Sequence, residues 1–111
     1  MAEPGPVTEI TVTVRYCAAA RAAAGVSEEA LTVPTVPTVP TPAPGQAVDG
    51  PGPREASVGA VLEAAIGRHG SRLATVLRRC SFLLDEVAVH GTGTPVRAGQ
   101  LLDVLPPFAG G

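Results

Sequence analysis

The chain has few aromatic residues, no tryptophan and no lysine. Its 111 residues include one Tyr and two Phe, and eight arginines are outnumbered by ten acidic residues, which gives a formal net charge of −2. Nucleic-acid binding usually needs a basic surface and often aromatic rings that stack on bases, so this composition argues against it. The length is that of one domain, and we predict a single domain spanning residues 1–111.

Long apolar runs are also absent. Apolar residues occur in runs of only a few, whereas a helix that crosses a bilayer needs about 20. Residues 1–4 have neither the cationic start nor the apolar core of a secretory signal. We therefore predict a cytoplasmic protein that contacts neither a membrane nor nucleic acid.

Chemistry-bearing side chains are sparse. Cys17 and Cys80 are the only cysteines and form no C-x-x-C pair, so we predict two small core residues in a reducing compartment. Two isolated histidines and scattered carboxylates indicate neither a catalytic triad nor a metal site. No phosphate-binding glycine motif is present. The chain is therefore predicted to be no enzyme and to bind no cofactor or metal by itself.

Proline, by contrast, is concentrated in one stretch. Seven of the twelve prolines lie in residues 34–56, a stretch that opens with a Thr-Val-Pro repeat begun at Thr32. Proline at every third position removes backbone donors and disfavours helix before it. We predict a solvated insert, partly polyproline II and disordered, over residues 34–56. A ligand for a proline-binding domain is the alternative interpretation.

The N-terminal part of the chain predicts a strand, a short helix and a second strand. The β-branched and aromatic residues Ile10, Val12, Val14 and Tyr16 alternate with polar ones, which indicates a half-buried strand over about residues 8–17. An alanine-rich stretch, residues 18–24, ends at a glycine and predicts a short helix with a glycine C-cap. Residues 30–33 predict a strand that pairs with the first.

The clearest helix begins at Ser57, whose hydroxyl can cap free N–H groups of the first turn. One continuous apolar stripe follows it, formed by Val58, Val61, Leu62, Ala65 and Ile66. Gly70 is the predicted C-cap, and a second short helix is expected around residues 73–77. The cationic groups near Gly70, which include His69, suit the end of a helix dipole, so a metal or base role for His69 is disfavoured.

The C-terminal part predicts strands. Residues 82–84 and 87–89 would form two strands about an Asp-Glu turn, residues 94–96 a short edge segment, and residues 101–105 the last strand. The Asp-Glu pair is a poorer hairpin turn than Asp-Gly. Two strands, a helix and then several strands indicate an α+β fold, with one main helix packed across one mixed sheet.

The tail, residues 106–111, is the one candidate for chemistry. Two prolines after Leu105 force an extended exit from the last strand. Gly110 and Gly111 lack a Cβ, so the backbone end can enter a channel that would reject side chains. The reactive group would be the α-carboxylate of Gly111. Transfer of AMP from ATP would activate it, and a sulfur nucleophile could then displace AMP to leave a thiocarboxylate.

Three segments carry a resemblance to a known family. The ending Pro106–Gly111 resembles that of the small, sulfur-carrier subunit of molybdopterin synthase, a family of ubiquitin-like proteins. The segments Val12–Arg21 and Ser57–Leu62 resemble the family's first strand with its following turn and its helix. The chain departs from the family at the proline-rich insert, at Cys17, where a large aromatic is common, and at Glu86, where a turn glycine is common.

The resemblance implies a β-grasp, ubiquitin-like fold and a set of partners. An adenylyltransferase similar to ubiquitin-activating enzymes would activate the tail with its own ATP and Mg²⁺. A sulfur donor protein would supply the sulfur, and the thiocarboxylate would enter the large synthase subunit to build molybdopterin. The residues carried over are Gly111 as the thiocarboxylate-bearing residue, Gly110 and Ala109 as tail-threading residues, and Leu105, Pro106, Pro107 and Phe108 as partner-docking contacts, with Phe82 as a weaker docking candidate.

Two alternatives stay open. The same carrier chemistry could serve another sulfur pathway, such as thiamin thiazole or cysteine synthesis, because relatives share the Gly-Gly ending. A different class is a ubiquitin-like modifier or binding module. The absence of lysine excludes self-linked isopeptide chains but leaves attachment to other proteins open.

Overall fold

A computed structural model describes residues 9–37 and 54–106. Apart from two short strands at the ends of the predicted insert, the strands and helices occur in the order that the sequence pattern indicates. The elements are β1 (Glu9–Tyr16), α1 (Ala18–Ala24), β2 (Glu28–Pro34), β3 (Val36–Pro37), β4 (Arg54–Ser57), α2 (Val58–His69), α3 (Ser71–Leu77), β5 (Ser81–Leu84), β6 (Val87–Ala88), β7 (Pro95–Val96) and β8 (Leu101–Leu105). No helix in the described ranges is both long and apolar enough to span a membrane.

The main sheet has five strands in the order β2-β1-β8-β5-β6. The first and last strands of the chain run parallel at its centre, with Thr13 opposite Leu101. All other pairs in this sheet are antiparallel, including the β1–β2 pair whose connection contains α1. The sheet is therefore mixed, and the predicted α+β class with a helix packed on one sheet is confirmed.

The main helix, α2, has the predicted ends. The Oγ of Ser57 accepts a hydrogen bond of 3.1 Å from the Ala60 N–H, and the Gly70 N–H donates to the Ile66 carbonyl at 2.7 Å. Its inward stripe packs with the inward residues of the sheet, where burying each aliphatic side chain contributes about 1.5–3 kcal/mol. The fully buried members of that core include Val12, Val14, Val58, Val61, Leu73, Leu102 and Val104.

The turn of the β5–β6 hairpin is formed by Asp85 and Glu86, although this residue pair is a poor match for a two-residue turn. Asp85 and Glu86 have φ values of 47° and 70°, so both lie in the left-handed region. Two-residue hairpin turns with this backbone usually carry glycine at the second position. Glu86 adopts the conformation nevertheless, because the antiparallel pairing of Leu84 with Val87 closes the turn around it.

The ends of the predicted proline-rich insert form a ladder. A second group of strands has the order β3-β4-β7, and Val36 pairs with Glu55 within it. Residues 36–37 and 54–56 are thus paired strand segments. The interior of the insert, residues 38–53, lies outside the described residues, so its disorder stays a prediction.

Cys17 corrects the expectation of two core cysteines, because it is exposed. Successive side chains of an extended chain point to opposite sides. Tyr16 points into the core and is 3% exposed, so Cys17, with extended φ and ψ of −127° and 154°, points outward.

Candidate functional site

The tail leaves from the centre of the main sheet. Its preceding strand, β8, is paired on one side with β1 and on the other with β5, and Leu105 lies opposite Ser81. Leu105 is half-buried, and Pro106 is exposed. Two ladders thus fix the base of the tail. The candidate residues Pro107, Phe108, Ala109, Gly110 and Gly111 lie outside the described residues, so their roles stay predictions.

On the sheet face away from the helices, Arg15 and Asp103 form a bidentate ion pair beside the tail base. Arg15 Nε and Nη2 donate to the two carboxylate oxygens at 2.6 Å and 3.2 Å. The two residues are neighbours across the parallel β1–β8 ladder. The side chain of Asp103 is 9% exposed and that of Arg15 is 49% exposed, so the guanidinium covers the carboxylate and remains in water. Its bonds to Asp103 raise the pKa of Arg15.

On the opposite, helix-covered face, Glu29 accepts bonds from three groups. The Tyr16 hydroxyl and His69 Nε2 both donate to Oε2 at 2.6 Å, and Arg68 Nε lies 3.0 Å from Oε1. The rings of Tyr16 and His69 meet edge to face. Burial first, and then the bond to Glu29, raise the pKa of Tyr16 well above its ordinary value. This carboxylate cluster joins β1, β2 and the end of α2.

His69 therefore has a structural partner, in keeping with its predicted place at the helix end. Within residues 9–37 and 54–106, no group of three or more His, Cys, Asp or Glu side chains is arranged to hold a metal ion. The sequence analysis missed the carboxylate cluster. A signal was present, because Tyr16 occupies an inward position of its strand and a buried phenol needs a hydrogen-bond partner.

The face of the sheet away from the helices carries an apolar surface next to the ion pair. Leu83, Leu101 and Leu105 are half-buried there, and Ala88, which pairs with Leu83, is exposed. We call these four residues the open-face patch. They alternate with inward residues of the same strands, such as Leu102 and Val104, so no described helix covers them. An uncovered apolar surface of this kind suits contact with another protein.

Phe82, the weaker docking candidate, lies on the helix-covered side. It is opposite Val104 in the β5–β8 ladder and is half-buried against the core. One edge of it lines a groove of about 420 Å³ that also contains Val89 and Thr92. The structure therefore does not bring Phe82 to the open-face patch with Leu105, and its docking role stays a prediction.

A cleft lies beside the tail base, between the start of α1 and the end of α3. It has a volume of about 320 Å³ and is lined by Cys17, Ala18, Ala19, Ala20, Thr75, Val76, Arg79, Cys80 and Pro106. Most of this lining is apolar. The Cys80 thiol donates to the Val76 carbonyl at 3.3 Å, and burial raises the pKa of that thiol. No sequence pattern indicated that the two cysteines share a cleft with Pro106.

Solved structures share this architecture. A chain described as molybdopterin converting factor subunit 1, from Pyrococcus furiosus, matches with a TM-score of 0.60 at 20% identity, over 89% of this chain and 99% of that one. Small archaeal modifier protein 1 from Methanosarcina acetivorans matches with a TM-score of 0.62 at 18% identity, over 93% and 98%. A chain from the complex of molybdopterin-converting factor subunits 1 and 2 of Helicobacter pylori matches at 0.50 and 20% identity, over 92% and 100%.

These likenesses establish the fold, and they confirm the β-grasp, ubiquitin-like prediction. No protein-family model matches the sequence, and no curated protein matches it significantly. At identities near 20%, the shared architecture establishes the fold alone, and a shared fold does not imply a shared chemistry of the tail.

Proposed function

We propose that this chain is a sulfur carrier. Its C-terminal Gly111 is adenylated and then converted to a thiocarboxylate, which donates sulfur in the synthesis of molybdopterin. The observation that carries the proposal is the central position of β8, which leads through Pro106 into a tail that ends in two glycines. The likeness of the fold to molybdopterin converting factor subunit 1 supports it.

The chemistry needs two displacements at the tail. A carboxylate oxygen of Gly111 attacks the α-phosphorus of ATP and releases pyrophosphate, which leaves an acyl adenylate. Hydrosulfide released by the sulfur donor then attacks the carbonyl carbon, and AMP departs with the former carboxylate oxygen. The product is a thiocarboxylate. Both steps are catalysed by partners that bring ATP, Mg²⁺ and the sulfur, so the chain itself acts as a non-catalytic subunit.

The folded part of the chain supplies position. The β8 strand is held by two ladders and by the Arg15–Asp103 pair two residues before Leu105. Beyond it, Pro106 and Pro107 have restricted φ, which reduces the entropy that the tail would lose when a partner binds it. Ala109, Gly110 and Gly111 carry little or no side chain, so they can thread a narrow channel in a partner.

The partners are proposed from the same features. A complex of subunits 1 and 2 is among the structures that share the fold, which supports a large synthase subunit as one partner. An adenylyltransferase and a sulfur donor protein are the others that the chemistry requires. We assign their docking to the open-face patch, which includes Leu105, together with Pro106, Pro107 and Phe108, because that patch lies where the tail leaves the sheet.

A ubiquitin-like modifier is the second candidate function. The fold is shared with small archaeal modifier protein 1, which favours it as directly as the other likeness favours the carrier. Both candidates require an activated Gly111, and they differ in the acceptor, which is sulfur in one case and an amine of another protein in the other. Service to another sulfur pathway would change only the final recipient.

The first prediction tests the activated tail. Incubation with ATP, an activating enzyme and a sulfur donor should exchange one oxygen for sulfur at Gly111, read as an intact mass. Gly111→Ala should abolish transfer of that sulfur while the fold survives, because a methyl group obstructs the channel. Gly67→Ala is the matched control, since a Cβ at that helical position has no heavy atom within 4 Å.

The outcomes separate the candidates. Sulfur exchange followed by pterin dithiolene formation with a large synthase subunit supports the molybdopterin carrier, whereas exchange without that product points to another pathway. Substrate lysines that carry, after trypsin digestion, the peptide that follows Arg97, without sulfur exchange, would establish the modifier. Full transfer by Gly111→Ala would contradict the narrow-channel role of the tail.

A further inference from the structure

Arginines without an ion pair gather around two short helices, α1 and α3. Arg15, Arg68 and Arg97 each pair with a carboxylate elsewhere in the fold. Four exposed arginines belong to α1, or to α3 and the turn after it, and have no charged partner among the residues that the structure describes: Arg21, Arg72, Arg78 and Arg79. No Asp or Glu occurs in residues 10–27 or 64–84. A chain whose net charge is −2 therefore has one markedly basic surface.

Three of these arginines border the cleft between α1 and α3. Arg79 lines it together with Val76. Arg72 lies one turn before Val76 on the same side of α3, because residues four apart share a helix face. Arg21 lies one turn after Cys17 on α1, and its N–H donates to the Cys17 carbonyl at 3.4 Å. We call Arg21, Arg72 and Arg79 the basic rim of the cleft.

The interior of the cleft is apolar, since residues 18–20 and Val76 form much of its wall. Its volume is about 320 Å³, and an apolar cavity of about 150 Å³ already accommodates benzene. The cleft therefore has room for one or two aliphatic side chains. A guanidinium donates two parallel hydrogen bonds to a carboxylate. The cleft and its basic rim are thus complementary to a peptide in which carboxylates flank aliphatic side chains.

The lining favours a protein segment over a nucleic acid. Single-stranded nucleic acids bind where aromatic rings along a basic groove stack on the bases. The described residues that line this cleft include no aromatic one. All ten acidic residues of the chain lie outside residues 10–27 and 64–84, so a long phosphate backbone would meet repulsion beyond the cleft. A short acidic segment of a protein avoids that repulsion.

The cleft and the open-face patch lie on opposite sides of the tail base. Ala20 of α1 and Leu77 of α3 are buried in the core, so the cleft is on the helix-covered side of the sheet. Pro106 lines the cleft, whereas Leu105, the residue before it, belongs to the open-face patch. A segment bound in the cleft would therefore leave the open-face patch free for another partner.

We propose that the α1–α3 cleft with its basic rim is a second docking surface, and that its occupant is an acidic segment of a partner protein. Aliphatic side chains of that segment fill the cleft, and its carboxylates pair with Arg21, Arg72 and Arg79. Docking at this surface needs no activated tail. Its use in a hand-over, in which one partner binds the cleft before another leaves the open-face patch, rests on the proposed function.

A fluorescein-labelled peptide, Glu-Glu-Leu-Leu-Glu-Glu, is the probe, and its fluorescence anisotropy with the full chain measures the dissociation constant. Binding should be saturable and should weaken as salt is added, because salt screens exposed charges. Arg79→Gln should weaken binding about fivefold, the upper range for one exposed ion pair. Arg97→Gln removes the same charge beyond the opposite end of β8 and should leave the dissociation constant unchanged.

Three alanine variants locate the binding site, because each adds one carboxylate at an exposed position. Ala19→Asp places it in the cleft wall and should weaken binding about tenfold, since it faces the carboxylates of the peptide. Ala22→Asp, on α1 but outside the cleft lining, should weaken binding only about twofold, through charge alone. Ala88→Asp, in the open-face patch, should leave binding unchanged. Thermal unfolding by circular dichroism checks that each variant is folded.

Four results would overturn the proposal: no saturable binding, equal binding of the peptide Gln-Gln-Leu-Leu-Gln-Gln, equal losses in Ala19→Asp and Ala22→Asp, or loss of binding in Ala88→Asp. Tighter binding of an oligodeoxythymidylate that displaces the peptide would also overturn it, by assigning the basic rim to nucleic acid. None of these measurements involves sulfur exchange at Gly111. Failure of the docking surface and failure of the carrier function are therefore told apart by anisotropy and by intact mass.

Discussion

Two neighbouring residues of β1, Arg15 and Tyr16, lie on opposite faces of the sheet and contact different carboxylates. Arg15 lies on the open face and pairs with one carboxylate, Asp103. The Arg15 side chain is half-exposed, so its guanidinium also remains accessible to water. Tyr16 lies on the covered face and shares Glu29 with His69 and Arg68. Both carboxylate side chains are 9% exposed. Asp103 nevertheless accepts from a single donor residue, the half-exposed Arg15, whereas Glu29 accepts from three residues.

The difference follows from what lies on each face. On the covered face, α2 packs against the sheet, so each polar group there needs a partner within the protein. On the open face, the arginine both covers its carboxylate and stays hydrated, which leaves Leu101 and Leu105 available to another protein. We infer that the covered cluster contributes mainly to stability and that the open pair mainly positions the tail.

Removal of the covered carboxylate should have the larger effect. Glu29→Leu leaves the Tyr16 hydroxyl and the His69 ring without their acceptor, and each lost bond costs part of the desolvation of a buried group. We expect the free energy of unfolding to fall by about 3 kcal/mol, measured by urea denaturation. Glu63→Leu, at an exposed position of α2, is the control for the change in composition. An equal loss in both variants would remove the distinction between the faces.

The open carboxylate should matter less for stability. Asp103→Leu leaves Arg15 free to turn into solvent, so no charge is stranded in the protein. We expect less than half of the fall in melting temperature that Glu29→Leu produces. The added leucine also extends the open-face patch, so partner binding is the more sensitive readout. A melting temperature as low as that of Glu29→Leu would show that the open pair stabilises the fold as strongly as the covered cluster.

A third carboxylate, Asp85, is exposed, and we expect its removal to have the smallest effect on stability of the three. It accepts bonds from the Leu101 N–H at 2.9 Å and the Gln100 amide at 3.0 Å, and these lower its pKa below the ordinary value of 3.8. A lowered pKa in the folded state stabilises the fold above the ordinary pKa, and this contribution is lost as the pH falls through the folded value.

The wild-type chain should therefore be more stable than Asp85→Asn by a small constant amount from about pH 5 to 8, and the difference should shrink below about pH 4. Thermal unfolding across this range measures it. A difference that grows on acidification would mean that the bonds to Leu101 and Gln100 do not favour the ionised form.

Strands and helices could be predicted where a pattern of a few neighbouring residues, such as alternation or a cap, determines them. The alternation from Ile10 to Tyr16, the Ser57 cap and the strand at residues 101–105 are all present in the structure. Predictions were weaker where a distant pairing decides. The β3–β4 ladder joins residues on either side of the insert, and the left-handed Glu86 is held by strand pairing, so neither has a local signature.

By itself, the sequence determined most of the strand and helix pattern, the narrow ending at Gly110 and Gly111 and the scarcity of groups for catalysis or metal binding. Only the tertiary structure decided which strands are neighbours, that β1 and β8 meet in parallel at the centre, and that Arg15 and Tyr16 face different carboxylates. The reason is physical. Periodicity and capping act over a few residues, whereas the partner of a buried polar group is set by folding contacts between residues far apart in the chain.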